Sequence, residues 1–138
     1  MSRAEDATSL FTEQNYNCAQ AILAAYGPGY GLDRGIALKL ASVFGSGTAR
    51  TGGMCGAVTG ALMVLSLRYC TGEPKGFFPK PVHRKARQFI KLFEAEASST
   101  NCNAMRDRDP HKGRYTRGNN NRCPGFVELA CKLLEEML

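Results

Sequence analysis

Four of the six cysteines lie where the local sequence predicts the first turn of a helix: Cys18, Cys55, Cys102 and Cys123. A helix N-terminus offers free backbone N–H groups and a partial positive charge, and both favour a thiolate over a thiol. For Cys123 the following Pro124 supports this position, because proline suits the first residue of a helix. If four such thiolates converge, their mutual repulsion requires protons, a disulfide or a metal. The pattern therefore points to redox or metal-binding chemistry.

Cys55 has the most specific surroundings. It follows a glycine-rich loop at 45–53 that contains Arg50, and it opens the segment Cys55-Gly56-Ala57-Val58-Thr59-Gly60. Free N–H groups, small neighbours and a nearby cation would activate a thiolate, although a buried cysteine beside a tight turn would look the same. In a thiol/disulfide couple we expect Cys55 to be the nucleophile and Cys18 to be its resolving partner. That pairing requires their Cα atoms to lie within about 7 Å of each other.

The glycine-rich loop also has an interpretation that does not involve cysteine chemistry. Glycines allow backbone N–H groups to converge on a small anion or a cofactor phosphate at a helix N-terminus. The loop is not a P-loop, because the Gly-Lys-Ser/Thr ending is absent. A binding module of this kind would use Gly45, Gly47, Arg50, Gly52, Gly53 and Gly56.

Cysteine spacing gives no support for a zinc ribbon or a ferredoxin-type cluster, since no Cys-x-x-Cys occurs. A site assembled from four separate segments is still compatible with the sequence, because helix starts at one end of a bundle can converge. Cys70 and Cys131 lie inside or at the end of helical stretches, and we interpret both as small core residues.

The pattern of apolar residues predicts an all-α fold. The 138 residues suffice for one domain spanning 1–138, a compact helical bundle around a buried helix at about 54–69. A helix is expected from Arg34 to Phe44, with a stripe of Ile36, Leu40, Val43 and Phe44 facing the core. The N-terminal residues show no signal sequence, and the apolar stretch at 56–67 is too short to span a membrane. We therefore expect a cytoplasmic protein without a membrane partner.

The net charge of +6 and the pI near 9.1 suggest an anionic partner. Basic residues are concentrated in a polar loop at about 106–122, which lacks a nucleic-acid-binding signature, so nucleic acid is disfavoured. A regulatory role, in which this loop folds on an acidic partner, is a further alternative. The compatible partners are thus a redox partner, a small anion and a second copy of the chain.

Over essentially its full length the sequence resembles the C-GCAxxG-C-C family of redox-active proteins. The resemblance is carried by Asn17-Cys18-Ala19-Gln20-Ala21, by Phe44-Gly45-Ser46-Gly47, by Cys55-Gly56-Ala57-Val58-Thr59-Gly60-Ala61-Leu62, and by Cys102 and Cys123. It selects the same four cysteines, although the glycine-bearing motif reads Cys-Gly-Ala-x-x-Gly here. The resemblance implies a redox role and a site made by the four cysteines. Related domains in multi-haem cytochromes suggest an iron–sulfur site.

We therefore expect a redox-active protein in which Cys18, Cys55, Cys102 and Cys123 form one site. They would act either as ligands of an iron–sulfur cluster or another metal, or as a thiol/disulfide couple in an oxidoreductase or electron-transfer protein. The cofactor itself is not specified by the sequence. The alternative is the anion-binding or cofactor-binding module built on the loop at 45–53.

Overall fold

The computed structural model describes residues 1–74, 76–108 and 124–138, and within them the secondary structure is helical apart from one isolated β-bridge. The all-α prediction is confirmed. In chain order the α-helices are α1 (Arg3–Thr12), α2 (Cys18–Tyr26), α3 (Arg34–Leu40), α4 (Gly56–Tyr69), α5 (Lys80–Ala97), α6 (Cys102–Arg108) and α7 (Pro124–Met137). A 3₁₀ turn, Gly27–Tyr30, joins α2 to α3.

The helix α4 is the centre of the bundle, as its apolar sequence predicts. It packs against α2, α5 and α7, and its buried residues include Ala57, Val58, Ala61, Val64 and Leu65. Its contact with α2 is close because Gly60 faces that helix: a Cβ at Gly60 would lie 3.0 Å from the carbonyl oxygen of Ala19. None of the described helices is long and apolar enough to cross a membrane.

Two hydrogen bonds connect α7 to α2 and α4. The Tyr26 hydroxyl donates to Glu135 Oε1 over 2.9 Å, although the Tyr26 ring is fully buried. The Tyr69 hydroxyl donates to the carbonyl oxygen of Met137. A buried tyrosine needs such a partner for its hydroxyl, so these contacts fix where α7 lies along α2 and α4.

The prediction for α3 is wrong in two respects. The helix ends at Leu40 rather than at Phe44, and Ile36, Leu40 and Val43 are more than half exposed. The buried residues on this segment are Ala37 and Ala41. The physical reason is that two alanines four residues apart allow this short segment to lie close against α2, which turns the larger side chains outward.

The prediction for the two remaining cysteines is half right. Cys131 is buried in the core, as expected. Cys70 is exposed, because α4 ends at Tyr69 and Cys70 is already in an extended conformation beyond the helix.

The polar segment expected to be a loop at 106–122 begins inside a helix, since α6 continues to Arg108. The remainder of that segment and Cys123 lie outside the described residues.

Candidate functional site

Cys18 is the first residue of α2 and is held there by a complete capping box. The Asn17 side chain accepts from the backbone N–H of Gln20 over 2.8 Å, and the Gln20 side chain accepts from the Asn17 N–H over 3.0 Å. The Asn17 amide also donates to the Ser42 carbonyl oxygen over 3.0 Å, which fixes the segment after α3 to the same helix end. The start of α2, and with it Cys18, is therefore held both by the capping box and by the segment that follows α3.

Cys55 occupies the N-cap of α4. Its backbone N–H donates to the Thr100 carbonyl oxygen over 2.7 Å, so the segment before α6 holds it in place. Its side chain is only 5% exposed, whereas Cys18 is partly exposed.

The thiols of Cys18 and Cys55 are close enough for each to shift the pKa of the other, and neither is in a disulfide. The contact depends on Gly56, the first residue of α4. A Cβ at Gly56 would lie 2.4 Å from the Cys18 sulfur and 2.7 Å from the Phe44 carbonyl oxygen. Both distances are shorter than any real Cβ contact, so only glycine leaves room for the Cys18 sulfur. This explains the Cys-Gly order in the motif.

The environment favours a thiolate on Cys18. A hydrogen bond from Cys55 lowers the pKa of Cys18, and the backbone N–H groups of Ser46 and Ala19 act in the same direction against the effect of burial. The same hydrogen bond, with burial and the charge on Cys18, raises the pKa of Cys55 well above its ordinary value. Two coupled thiols share their titration in this way: the first proton leaves easily and the second with difficulty.

The predicted roles, Cys55 as nucleophile and Cys18 as resolving partner, stay a prediction. The lowered pKa of Cys18 supports the reverse order. The sequence argument favoured Cys55 because it lies at a helix start after a glycine-rich loop, and it did not include the neighbouring sulfur.

Cys102 is attached to the strand-like segment that leads into Cys55. Its backbone N–H donates to the Gly53 carbonyl oxygen over 2.6 Å, and Met54 and Asn101 form an antiparallel bridge next to it. Cys102 is buried and is the first residue of α6, as its sequence predicts. Three of the four predicted cysteines thus belong to segments that meet at this end of the bundle.

The predicted four-cysteine set is not complete in the structure, because Cys123 lies outside the described residues. Within residues 1–74, 76–108 and 124–138, no three His, Cys, Asp or Glu residues are grouped so that they could hold a metal ion. Metal ligation by Cys18, Cys55, Cys102 and Cys123 therefore stays a prediction.

The loop at 45–53 is closed on itself by backbone hydrogen bonds. The N–H groups of residues 49–53 donate to the carbonyl oxygens of Val43, Gly45, Thr48, Ser46 and Gly47. These five N–H groups are thus used within the segment and are not turned toward a ligand. One loop amide, that of Ser46, is directed to the Cys18 sulfur.

The loop glycines predicted to bind an anion are closely packed in the structure. A Cβ at Gly45 would lie 2.5 Å from Asn17 Cβ, one at Gly47 2.3 Å from the Gly53 nitrogen, and one at Gly52 2.0 Å from Asn103 Nδ2. Glycine is required at these three positions because neighbouring parts of the chain leave no space for a Cβ atom. Arg50 is exposed at the turn of the loop. The anion site at Gly45, Gly47, Arg50, Gly52, Gly53 and Gly56 stays a prediction.

Sequence reasoning missed three residues that shape the site. Asn17 has a recognisable cap pattern with Gln20, so the sequence held its signal. Ser46 acts through its backbone, and Asn103 acts by filling the space at Gly52. Neither contact can be predicted from residue type, because both depend on the path that the loop at 45–53 takes in the folded protein.

Comparison with known proteins agrees with the four-cysteine pattern. The family model described as "Putative redox-active protein (C_GCAxxG_C_C)" matches residues 16–137. No curated protein and no solved structure matches the chain. The matched range begins just before Cys18 and includes Cys55, Cys102 and Cys123, and it covers most of the 138 residues. The chain therefore belongs to the C-GCAxxG-C-C family of redox-active proteins.

Proposed function

We propose that the protein performs thiol–disulfide exchange with an oxidised protein partner, using Cys18 and Cys55 as a two-electron couple. The observation that carries this proposal is the interaction between the two thiols, which lowers the pKa of Cys18 and raises that of Cys55. A thiolate beside a resolving thiol that keeps its proton is the arrangement that such exchange requires.

In the first step the Cys18 thiolate attacks one sulfur of the partner's disulfide. The partner's S–S bond breaks, a mixed disulfide forms, and the released partner thiolate takes a proton from solvent. In the second step Cys55 loses its proton and attacks the Cys18 sulfur. A Cys18–Cys55 disulfide forms and the second partner thiolate leaves. Two electrons pass from the dithiol to the partner, and exchange with a reducing dithiol reverses the reaction.

During this cycle the surroundings of Cys18 have a defined role. The Ser46 and Ala19 N–H groups stabilise the thiolate before attack. When Cys18 is in a mixed disulfide, the Cys55 proton is no longer held by a neighbouring thiolate. The charge on Cys18 that raises the pKa of Cys55 is then gone, so Cys55 ionises more easily at the moment when it must attack.

A metal-bound form of the same site is the second candidate. The observation in its favour is the backbone pairing of Cys102 with the segment before Cys55, which brings a third cysteine-bearing segment to the site. An iron–sulfur cluster or another thiophilic metal would take Cys18, Cys55, Cys102 and Cys123 as ligands and would supply one-electron chemistry or charge stabilisation. We derive no step through such a group, since Cys102 and Cys123 are not shown to share a site with the pair.

Peptide mapping of oxidised protein separates these possibilities. The protein is purified anaerobically, analysed for iron and acid-labile sulfide, oxidised with a small-molecule disulfide and digested with trypsin. Cys18 and Cys55 fall on different peptides, 4–34 and 51–68, and neither peptide contains a second cysteine. We expect these two peptides to be joined by a disulfide that a dithiol reductant removes.

The variant Cys70→Ser is the matched control, because it removes an exposed cysteine distant from the pair. It should form the disulfide between peptides 4–34 and 51–68 as the wild type does. A disulfide that joins only Cys102 to Cys123 would refute the proposed couple. Stoichiometric iron and sulfide lost in Cys18→Ser would instead favour the metal-bound form.

A further inference from the structure

Two adjacent phenylalanines on the segment before α5 are almost completely exposed. Phe77 is 95% exposed and Phe78 is 73% exposed. The edge of the Phe78 ring meets His83 at a centroid distance of 5.3 Å, which holds this ring against the first turn of α5. Single exposed apolar residues are common, but two neighbouring ones at the start of a helix contribute little to folding and mark a surface for binding.

From Lys80 to Lys91 the exposed face of α5 carries only positive charge, and Glu94 and Glu96 follow nearer the end of the helix. Lys80, Arg84, Arg87 and Lys91 recur at intervals of four, three and four residues, so they form one stripe, and all four are exposed. No Asp or Glu occurs between residues 74 and 93. In the described part of the chain none of the four forms an ion pair. Like charges at this spacing destabilise a helix, so the stripe is not explained by folding.

The cationic surface extends onto the end of α4. The Arg68 guanidinium and the Lys85 ammonium both lie over the Tyr69 ring, at 4.7 Å and 5.1 Å from its centroid. We call the combined area, made of Phe77, Phe78, the four-cation stripe, Arg68 and Lys85, the Phe–cation surface. Its contact with α4 is at Arg68 and Tyr69, the C-terminal end of that helix, whereas Cys55 lies at the N-terminal end, about 20 Å away for a helix of this length.

We propose that the Phe–cation surface binds an anionic lipid bilayer as a peripheral contact. The two phenylalanine rings would enter the apolar edge of the headgroup region, and the cations would lie against lipid phosphates. This proposal reverses the expectation of no membrane partner, which rested on the absence of a spanning helix, because sequence hydropathy does not show which side chains are exposed after folding. The proposal is independent of the redox proposal, because the Phe–cation surface shares no residue with the thiol pair.

Nucleic acid is the competing anionic partner, and the structure favours lipid over it. Between Lys80 and Lys91 the one Phe, Tyr or Trp residue is Phe89, whose ring is buried and cannot stack on a base. The Phe78 ring is already engaged by His83, which leaves Phe77 as the one fully open ring. A stacking platform for single strands needs several ring faces along the cationic groove.

Vesicle sedimentation with the full chain tests the proposal. We expect the protein to sediment with vesicles containing phosphatidylglycerol and to stay in the supernatant with vesicles of phosphatidylcholine alone. The double variant Arg84→Gln, Arg87→Gln should weaken this binding about thirtyfold, because each cation near an anionic surface is worth about fivefold. The control Lys39→Gln, Lys132→Gln removes two exposed cations elsewhere and should change binding far less.

The phenylalanine contribution has its own matched control. Phe77→Ser, Phe78→Ser should weaken vesicle binding by about tenfold or more. Ile36→Ser, Leu40→Ser removes from α3 an apolar pair that is more than half exposed and should leave binding unchanged. All four residues are exposed, so these variants are expected to fold.

Insertion can be observed directly because the chain has no tryptophan. In Phe77→Trp the one indole should shift its emission to shorter wavelength on anionic vesicles and be quenched by brominated lipid. Absence of quenching, or equal losses in the test and control variants, would overturn the proposal. So would a single-stranded oligonucleotide that displaces the vesicles and binds the Phe77→Ser, Phe78→Ser variant as tightly as the wild type.

Discussion

At the scale of single residues, the interaction between Cys18 and Cys55 sets the order in which the two thiols titrate. It lowers the pKa of Cys18 and raises the pKa of Cys55. In the proposed couple Cys18 is therefore the thiolate and Cys55 the hydrogen-bond donor.

Substitutions at Cys55 that keep or remove a hydrogen-bond donor test whether the Cys55 proton stabilises the Cys18 thiolate. Cys55→Ser retains an O–H donor, whereas Cys55→Ala leaves Cys18 without one. We expect alkylation of Cys18 by iodoacetamide at neutral pH to be about tenfold slower in Cys55→Ala than in Cys55→Ser, since a hydrogen bond to a charged group is worth about 1.5–3 kcal/mol. The pKa of Cys18 obtained from the pH profile should be higher in the alanine variant.

Mass spectrometry of peptide 4–34 measures the modification of Cys18 alone, because it contains no other cysteine. Equal rates in the serine and alanine variants would show that the Cys55 proton has no influence on Cys18. The Ser46 and Ala19 amides would then be the main source of the lowered pKa.

A second prediction at this scale concerns Gly56. Gly56→Ala places a methyl group 2.4 Å from the Cys18 sulfur, so we expect a loss of about 1–3 kcal/mol in the free energy of unfolding and slower disulfide formation. Gly125→Ala is the matched control at the start of α7, where a Cβ meets nothing within 4 Å. It should stabilise the protein by about 0.5–1 kcal/mol.

Urea unfolding of both variants measures the free energy of unfolding. The rate at which a disulfide joins peptides 4–34 and 51–68 measures oxidation of the couple. If Gly56→Ala unfolds like the wild type and oxidises at the same rate, the close approach of α2 and α4 is not required for the couple.

Much of this residue-scale detail was accessible from sequence. Helix starts at Cys18, Cys55 and Cys102 follow from cap residues and glycines, and the structure has all three at or next to the first helical residue. The proton order within the pair was not accessible, because it depends on a contact between residues far apart in the chain.

At the scale of elements, the loop between α3 and α4 has an unusual backbone. Ser46, Thr48, Ala49 and Arg50 all have positive φ, and Gly47 between them does as well. A run of L-residues in this region costs about 1–2 kcal/mol for each, and such strain is typical of functional sites. The run begins with the residue whose amide is directed to the Cys18 sulfur.

Glycine substitution measures that strain. Ala49 has φ of 51° and is exposed, so Ala49→Gly should raise the free energy of unfolding by about 0.5–1 kcal/mol. Ala95→Gly, at an exposed position inside α5, should lower it by about 1 kcal/mol because glycine disfavours a regular helix. Guanidinium unfolding of the reduced proteins compares the two; destabilisation by both would mean that the loop is not strained at Ala49.

The elements show where sequence patterns succeed and fail. The apolar helix α4 and the amphipathic α5 were predictable because burial dominates their sequences. The orientation of α3 was not, because small residues at Ala37 and Ala41 determine which face packs, and an apolar stripe of larger residues gives the opposite expectation.

At the scale of the whole molecule, the buried cysteine of α7 links folding to pH. Burial raises the pKa of Cys131 to about 11 from an ordinary value of 9.0, while the nearby Tyr26 hydroxyl opposes this shift and the charge of Glu135 adds to it. In the unfolded chain this thiol ionises near pH 9, whereas in the folded protein it holds its proton to about pH 11. The stability that it contributes is therefore complete below pH 9 and is lost as the pH rises to about 11.

The expected loss from this single group is about 2–3 kcal/mol. Cys131→Ala removes the titration, so its free energy of unfolding should fall less steeply between about pH 9 and 11 than that of the wild type. Comparing the slopes by urea unfolding separates this effect from the packing cost of the substitution and from the titration of other buried groups. Parallel slopes in the two proteins would contradict the assignment to Cys131.

For the molecule as a whole, the all-α class, the central position of α4 and the family were all predictable from the sequence. These properties follow from apolar periodicity and from an ordered set of motifs along the chain. The relation between the thiol end and the Phe–cation end of α4 was not predictable, because exposure of Phe77 and Phe78 is decided only when α5 has packed.

The contact between α2 and α4 has a mechanical consequence. Gly56 and Gly60 both lie against α2, where a Cβ at Gly56 would lie 2.4 Å from the Cys18 sulfur and one at Gly60 3.0 Å from the Ala19 carbonyl oxygen. Sliding either helix along the other would move larger residues into places where glycine fits, so we expect the register of the two helices to be fixed. We therefore expect structural change on oxidation to be concentrated in the surface loop that begins at Ser46 rather than in the contact between α2 and α4.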